Sequence, residues 1–128
     1  METKESSQMY LETIYILSQK SDTVRKIDVS KYMGFAKPSV TRGISLLEKQ
    51  GLVNVDVNGN IIMTEAGRNE ARQIYERHTV LTQMFTLLGV SEETAAEDAC
   101  RVEHYISEET FEAIKKHMDQ YSSVKPRQ

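Results

Sequence analysis

Cysteine occurs once in this chain, at Cys100, so no internal disulfide can form and a disulfide-stapled secreted fold is excluded. Tryptophan is absent, and there are only 2 prolines and 6 glycines, which argues against a disordered or fibrous chain. Nowhere do 18 apolar residues follow one another, so no segment suits a membrane-spanning helix. The opening Met1-Glu2-Thr3-Lys4-Glu5 lacks the apolar core of a signal peptide, and a cytoplasmic protein is expected. Catalytic signatures are missing too. There is no G-x-S-x-G, no phosphate loop and no H-E-x-x-H, and no third residue is evident to orient a Cys100–His104 pair, so an enzyme is not expected. What is present is 128 residues and 14.6 kDa, 39% hydrophobic and 27% charged. That composition suits a folded chain of one domain or slightly more.

The net charge of -3 looks wrong for a nucleic-acid binder, but its distribution says more. Residues 20–49 carry 7 basic residues (Lys20, Arg25, Lys26, Lys31, Lys37, Arg42, Lys49) against 3 acidic ones, or +4. Residues 73–128 carry 6 basic and 10 acidic residues, or -4. A basic front and an acidic back suggest a surface for a polyanion and, separately, a place for a cation; ordinary surface scatter is the plainer reading.

Helical spacing of Tyr10, Ile14 and Leu17 predicts a first helix over about 7–20. A second is predicted over 27–33, closed by Gly34, and a third over 37–50, closed by Gly51, with Pro38 in its first turn. Val40, Ile44 and Leu47 form the buried stripe of the third. Val53, Val55 and Val57 then alternate with polar residues, Asn58-Gly59 follows, and Ile61-Ile62-Met63 comes after. This is a β-hairpin pattern, with Asn-Gly favouring a type I′ turn. Thr64 caps a long helix to about Leu88, in which Ala71, Ile74, His78, Leu81, Phe85 and Leu88 recur at spacings of 3 and 4. Such a stripe is longer than a small monomer readily buries, so part of it is expected to face a second copy. Ser91 opens a helix to about Tyr105, and Ser107 opens another to about Tyr121. The tail 122–128 is predicted to be disordered.

Three helices and a hairpin form the order of a winged helix-turn-helix, which places the third helix in the major groove. Lys37, Pro38, Ser39, Thr41 and Arg42 at its start would face the bases, Arg42 by a bidentate bond to a guanine edge. Lys26, Lys31 and Lys49 would contact phosphates, which position the protein without specifying sequence. Asn58 and Asn60 would lie at the tip of the wing. The plainer alternative is a three-helix domain that binds a protein.

In the back half, Cys100, Glu103 and His104 stand at i, i+3 and i+4, which puts them on one face of a predicted helix. Thiolate, carboxylate and imidazole are together ligands for first-row transition metals. On the first helix Met9 and Glu12 stand at i and i+3, and His78 lies inside the apolar stripe. Each has a plainer reading: Cys100 as a small buried hydrophobe, Met9 as core filler, His78 as a satisfied core histidine. Glu103 is harder to dismiss, because a carboxylate beside Ala96 and Ala99 needs a cation if that face is buried.

Several segments together resemble the metal-dependent repressor family of the diphtheria toxin repressor and the manganese transport regulators. They are Met9-Tyr10-Leu11-Glu12-Thr13-Ile14-Tyr15, Lys37-Pro38-Ser39-Val40-Thr41, Gly51-Leu52-Val53, Arg77-His78, Leu87-Leu88-Gly89-Val90 and Asp98-Ala99-Cys100-Arg101-Val102-Glu103-His104-Tyr105-Ile106-Ser107. They cover residues 8–112 in register. The resemblance implies a mainly α chain: a winged helix-turn-helix DNA-binding domain over 1–64 and an all-helical metal-binding and dimerisation domain over 65–121. It also implies a homodimer that binds double-stranded operator DNA when a divalent metal is present, shutting down metal uptake.

The family has two ligand styles, and this sequence mixes them. Met9 and Cys100 match the iron style; Glu12 matches the manganese style; His78, Glu103 and His104 match positions used by both. Thr82 and Ala96 stand where the iron style's second site has a Glu and a His, so Glu12 and His78 either complete one cluster or serve a second metal. Soft sulfur at Met9 and Cys100 favours iron(II), Fe2+, over Mn2+, and would also attract zinc; a structural or zinc-sensing site is the alternative. Many relatives carry a further SH3-like domain, for which a chain ending at Gln128 is too short.

Overall fold

These spacings become six helices and one hairpin in a computed structural model that describes the backbone of residues 4–124 and the side chains of residues 6–120. In chain order they are α1 (Lys4–Lys20), α2 (Lys26–Met33), α3 (Lys37–Lys49), β1 (Val53–Val55), β2 (Ile61–Met63), α4 (Glu65–Leu87), α5 (Glu92–Val102) and α6 (Glu108–Val124). The first five make the winged helix-turn-helix, and the rest is helical. Helix α6 reaches three residues into the expected tail, and residues 125–128 lie outside the described residues. No described helix is long and apolar enough to cross a membrane.

The chain divides into two compact units between Ile74 and Tyr75, inside α4. The reason is packing. Ala71 and Ile74 are buried in the same apolar core as Leu11, Ile14, Val40 and Ile44, so the opening turns of α4 belong to the first unit. The stripe is therefore not one continuous seam: Ala71, Ile74 and Leu81 are buried, while Leu88 is 74% exposed.

Helix α3 buries Val40, Ile44 and Leu47, as its spacing predicts, and Gly43 with them. The Tyr10 ring of α1 lies against Gly43, where any Cβ would collide with it. The Tyr10 hydroxyl donates to the Ser39 carbonyl at 3.1 Å, and Phe35 meets the ring edge-on at 6.0 Å between centroids. Turn chemistry sets the ends of α2. Asp28 accepts the Arg25 backbone N–H at 2.9 Å, and Gly34 closes the helix at φ 73°. Thr64 starts α4 by accepting the Gly67 N–H at 3.0 Å while donating to the Gly51 carbonyl at 2.8 Å. Gly67 lies so close under the Leu52 carbonyl that a side chain there has no room.

In the hairpin, Val53 pairs with Met63 and Val55 with Ile61, and Ile61 N–H also donates to Val24 O at 2.7 Å. The expected type I′ turn is not formed. It requires positive φ at Asn58, and no described non-glycine residue has one; within the loop it is Gly59 that does, at 84°. Gly59 N–H donates to Asp56 O, and Asp56 N–H to Asn60 O, both at 3.0 Å. This matches a three-residue loop closed by a glycine bulge. Asp56 is the reason. Its Oδ1 accepts the Asn58 and Asn60 N–H groups, both at 2.9 Å, which selects the longer loop and leaves Val57 fully exposed.

These bonds hold the Asp56 carboxyl below its ordinary 3.8, the Asn60 N–H contributing most, the Asn58 N–H and Arg25 less. The loop is therefore held fully above that pH and released as pH falls through the lower folded value. An NMR titration should find Asp56 protonating below 3.8. Asp56→Ala should speed amide exchange at Asn58 and Asn60 while leaving the helices' exchange unchanged.

Candidate metal centre and nucleic-acid interface

Carboxylates are rarely buried, because removing the charge from water costs several kcal/mol unless something compensates it. Among the described residues two are buried, Glu12 on α1 (8% exposed) and Glu103 (1%), and one imidazole joins them in that class, His104 (5%). In the second unit Glu103 Oε1 lies 2.9 Å from His78 Nδ1, and Glu103 Oε2 lies 3.4 Å from His104 Nε2. His78 is thus not a bystander in the apolar stripe. A carboxylate flanked by two imidazoles is a donor set that fits a first-row divalent cation, and these residues pass that chemical test.

The expected helix around Cys100 is shorter than its spacing suggests. Helix α5 ends at Val102, not near Tyr105, and Glu103 and His104 occupy the turn that follows. Glu103 keeps helical backbone angles (φ -58°, ψ -24°) and its N–H still bonds Ala99 O at 2.9 Å, so the relation to Cys100 survives. Cys100, one turn earlier on α5, is half-buried, as is Met9 on α1. Met9, Glu12 and Cys100 are placed on their helices as expected; the close grouping described above comprises His78, Glu103 and His104.

Arg77, whose role no sequence motif marks, shapes the turn. Its Nη1 donates to Glu103 O at 3.2 Å and Ile106 O at 2.9 Å, its Nη2 to Glu108 at 3.0 Å, and the guanidinium stacks 5.3 Å from the Phe111 ring centre. A cation thus satisfies carbonyls where α5 runs out, the end that the helix dipole makes negative. The available signal was its place beside His78, but only tertiary contact shows the targets.

In the first unit, Lys37, Pro38, Thr41 and Arg42 are exposed at the start of α3, and Ser39 is half-buried. Arg42 Nη2 donates to Ser39 Oγ at 3.3 Å, so two expected base-reading side chains lie side by side. Lys26 stands at the start of α2, half-buried, with Lys31 and Lys49 exposed. On the wing, Asn58 is exposed as expected, whereas Asn60 is engaged: it bonds Asp56 at 3.2 Å and accepts from Arg25 Nε at 3.3 Å. A cationic helix start beside a wing is suited to a duplex backbone and groove.

Known proteins point the same way. Residues 2–59 match the family described as iron dependent repressor, N-terminal DNA binding domain, and residues 64–127 match iron dependent repressor, metal binding and dimerisation domain. An uncharacterised HTH-type transcriptional regulator of Methanocaldococcus jannaschii is 31% identical over 119 residues, 91% of this chain and 95% of its own. The transcriptional regulator MntR of Escherichia coli O157:H7 is 31% identical over 106 residues, 83% of this chain and 68% of that one. A solved manganese-dependent transcriptional repressor in complex with manganese has the same fold, with a TM-score of 0.79 at 24% identity. That match covers 88% of this chain and 52% of the other, so the chain spans about half of that relative's length.

Arg77→Ala should lose about 1.5–3 kcal/mol of stability, from charge-assisted bonds to two carbonyls; the exposed Glu108 contact adds little. Urea unfolding followed by circular dichroism checks the loss. The same variant should loosen Glu103 and His104, seen as faster amide exchange at 103–106.

Proposed function

This chain belongs to the diphtheria toxin repressor and manganese transport regulator family of metal-dependent transcriptional repressors, which are DNA-binding regulators rather than enzymes. On that premise we propose that it is a homodimeric repressor whose operator binding is switched on by a divalent metal, Fe2+, and which silences metal-uptake genes. The observation that carries this reading is the Glu103 carboxylate, 1% exposed, with imidazole nitrogens at 2.9 and 3.4 Å.

The proposed ligands are Met9 and Glu12 of α1, His78 of α4, Cys100 of α5, and Glu103 and His104 of the turn after it. A bound divalent cation would supply positive charge, which neutralises Glu12 and Glu103 and favours the deprotonated Cys100 and the neutral imidazoles. The residues do the rest. Arg77 holds the turn that presents Glu103 and His104, and Met9 and Cys100 set the preference for a soft ion. Lys26 takes phosphates, and Lys37, Pro38, Ser39, Thr41 and Arg42 read the operator. The switch can be no larger than the metal's preference for the binding-competent state. The exposed Leu87, Leu88 and Tyr105 of the second unit support pairing of two chains there. Mn2+ is the second reading, favoured by the oxygen ligands Glu12 and Glu103 and by the manganese-bound relative.

Affinity for its own upstream DNA, measured anaerobically with Fe2+, Mn2+, Zn2+ or no metal, tests the proposal. Fe2+ should strengthen operator binding most. His104→Ala should abolish the metal response while light scattering and circular dichroism keep dimer and fold; a retained response means His104 is not a ligand. Acidic residues in place of both Met9 and Cys100 should move the ranking from Fe2+ toward Mn2+. Arg42→Ala should cost about 1–3 kcal/mol of preference at one base position, with a far smaller loss on unrelated duplex.

A further inference from the structure

Helix α1 does two things within the first unit that the proposed function leaves unconnected. It carries Met9 and Glu12, and between them Tyr10, which is 2% exposed. Tyr10 is turned away from solvent. Its ring fills the space left on α3 by Gly43, where no larger residue fits while the ring stays. Its hydroxyl donates at 3.1 Å to the carbonyl of Ser39, in the first turn of α3, and its ring makes a T-shaped contact with Phe35, just before that helix. In the α-helical pattern that same carbonyl takes the Gly43 N–H, so ring and hydroxyl grip one turn of α3 at both ends.

That turn is the reading head. Ser39 and Arg42 are mutually bonded on it, and Thr41 lies between them. A greasy contact alone would leave α3 free to slide or roll by small amounts, since apolar packing is non-directional. A hydroxyl on a named carbonyl fixes both depth and rotation. A hydrogen bond to the helix start is also the contact that shifts if α1 shifts.

We propose that Tyr10 is a positioning residue: it locks the first turn of α3 to α1, setting how Ser39, Thr41 and Arg42 are presented and carrying to them any displacement of the helix that holds Met9 and Glu12. The second half rests on the metal-switch reading; the first half does not.

Tyr10→Phe tests it, because the ring and its fit against Gly43 remain and only the hydroxyl goes. In the metal-free protein, hydrogen exchange at Arg42 and Gly43 should quicken by about five-fold, the equilibrium value of one ordinary hydrogen bond. The melting temperature should move by only a few degrees. Preference for the operator over unrelated duplex should fall by about the same factor, with low-salt affinity for unrelated duplex unchanged. The ratio of operator affinities with and without Fe2+ or Mn2+ should shrink as well. Gly43→Ala, which forces the ring away, should show the same loss of preference, together with a larger loss of stability. Unchanged exchange and unchanged preference in Tyr10→Phe would overturn the proposal. An equal fall in specific and non-specific binding would also overturn it, since that marks a merely structural role. If the parent protein shows no metal response, the metal-switch reading fails and the coupling half with it, while exchange and operator preference still decide the positioning half.

Discussion

A carboxylate out of water constrains the second unit more than any other feature. Glu103 gives up hydration that nothing apolar can replace, so the fold must bring polar partners to it. His78 comes from the long helix and His104 from the adjoining position, and Arg77 pins the backbone between them. The short α5, the break at Val102 and the fresh start at Ser107 all serve that turn. The carbonyls of Glu103 and Ile106 lie past the last residue of α5, and Arg77 takes both.

The first unit answers a different demand: a polar, cationic helix start must stay exposed while its back is held still. Apolar burial of Val40, Ile44 and Leu47 holds it, and the Tyr10 hydroxyl on the Ser39 carbonyl adds a directional contact. The wing is fastened independently. Asp56 gathers the loop, Arg25 reaches Asn60, and Ile61 bonds Val24, so the hairpin is tied to the segment before α2 at two points.

Charge is also divided along the chain. Cations gather around α2 and α3, and acids gather in the half that carries His78, Glu103 and His104. The modest net charge of -3 conceals this, which is why the total misleads and the distribution informs.

Much was legible from sequence by itself, and for a local reason. Helix spans, their glycine stops, the Thr64, Ser91 and Ser107 caps and the existence of the hairpin depend on residues within a few positions of each other. The family likeness was legible because its motifs recur in register over residues 8–112. The candidate ligands His78, Glu103 and His104 were nameable from spacing and likeness, but their grouping was not, because His78 and Glu103 stand 25 positions apart. Tertiary structure also decided what local propensity misjudged. Asn58-Gly59 favours a two-residue turn, yet Asp56 collects two N–H groups and selects a longer loop. The stripe of α4 looks continuous, yet its opening turns are claimed by the core of the first unit, because burial depends on what lies opposite a helix and not on the helix itself. Arg77 and Tyr10 gained their roles in the same way. A donor's partner, unlike a helix's period, is chosen by the fold that carries a distant carbonyl within 3.2 Å of it.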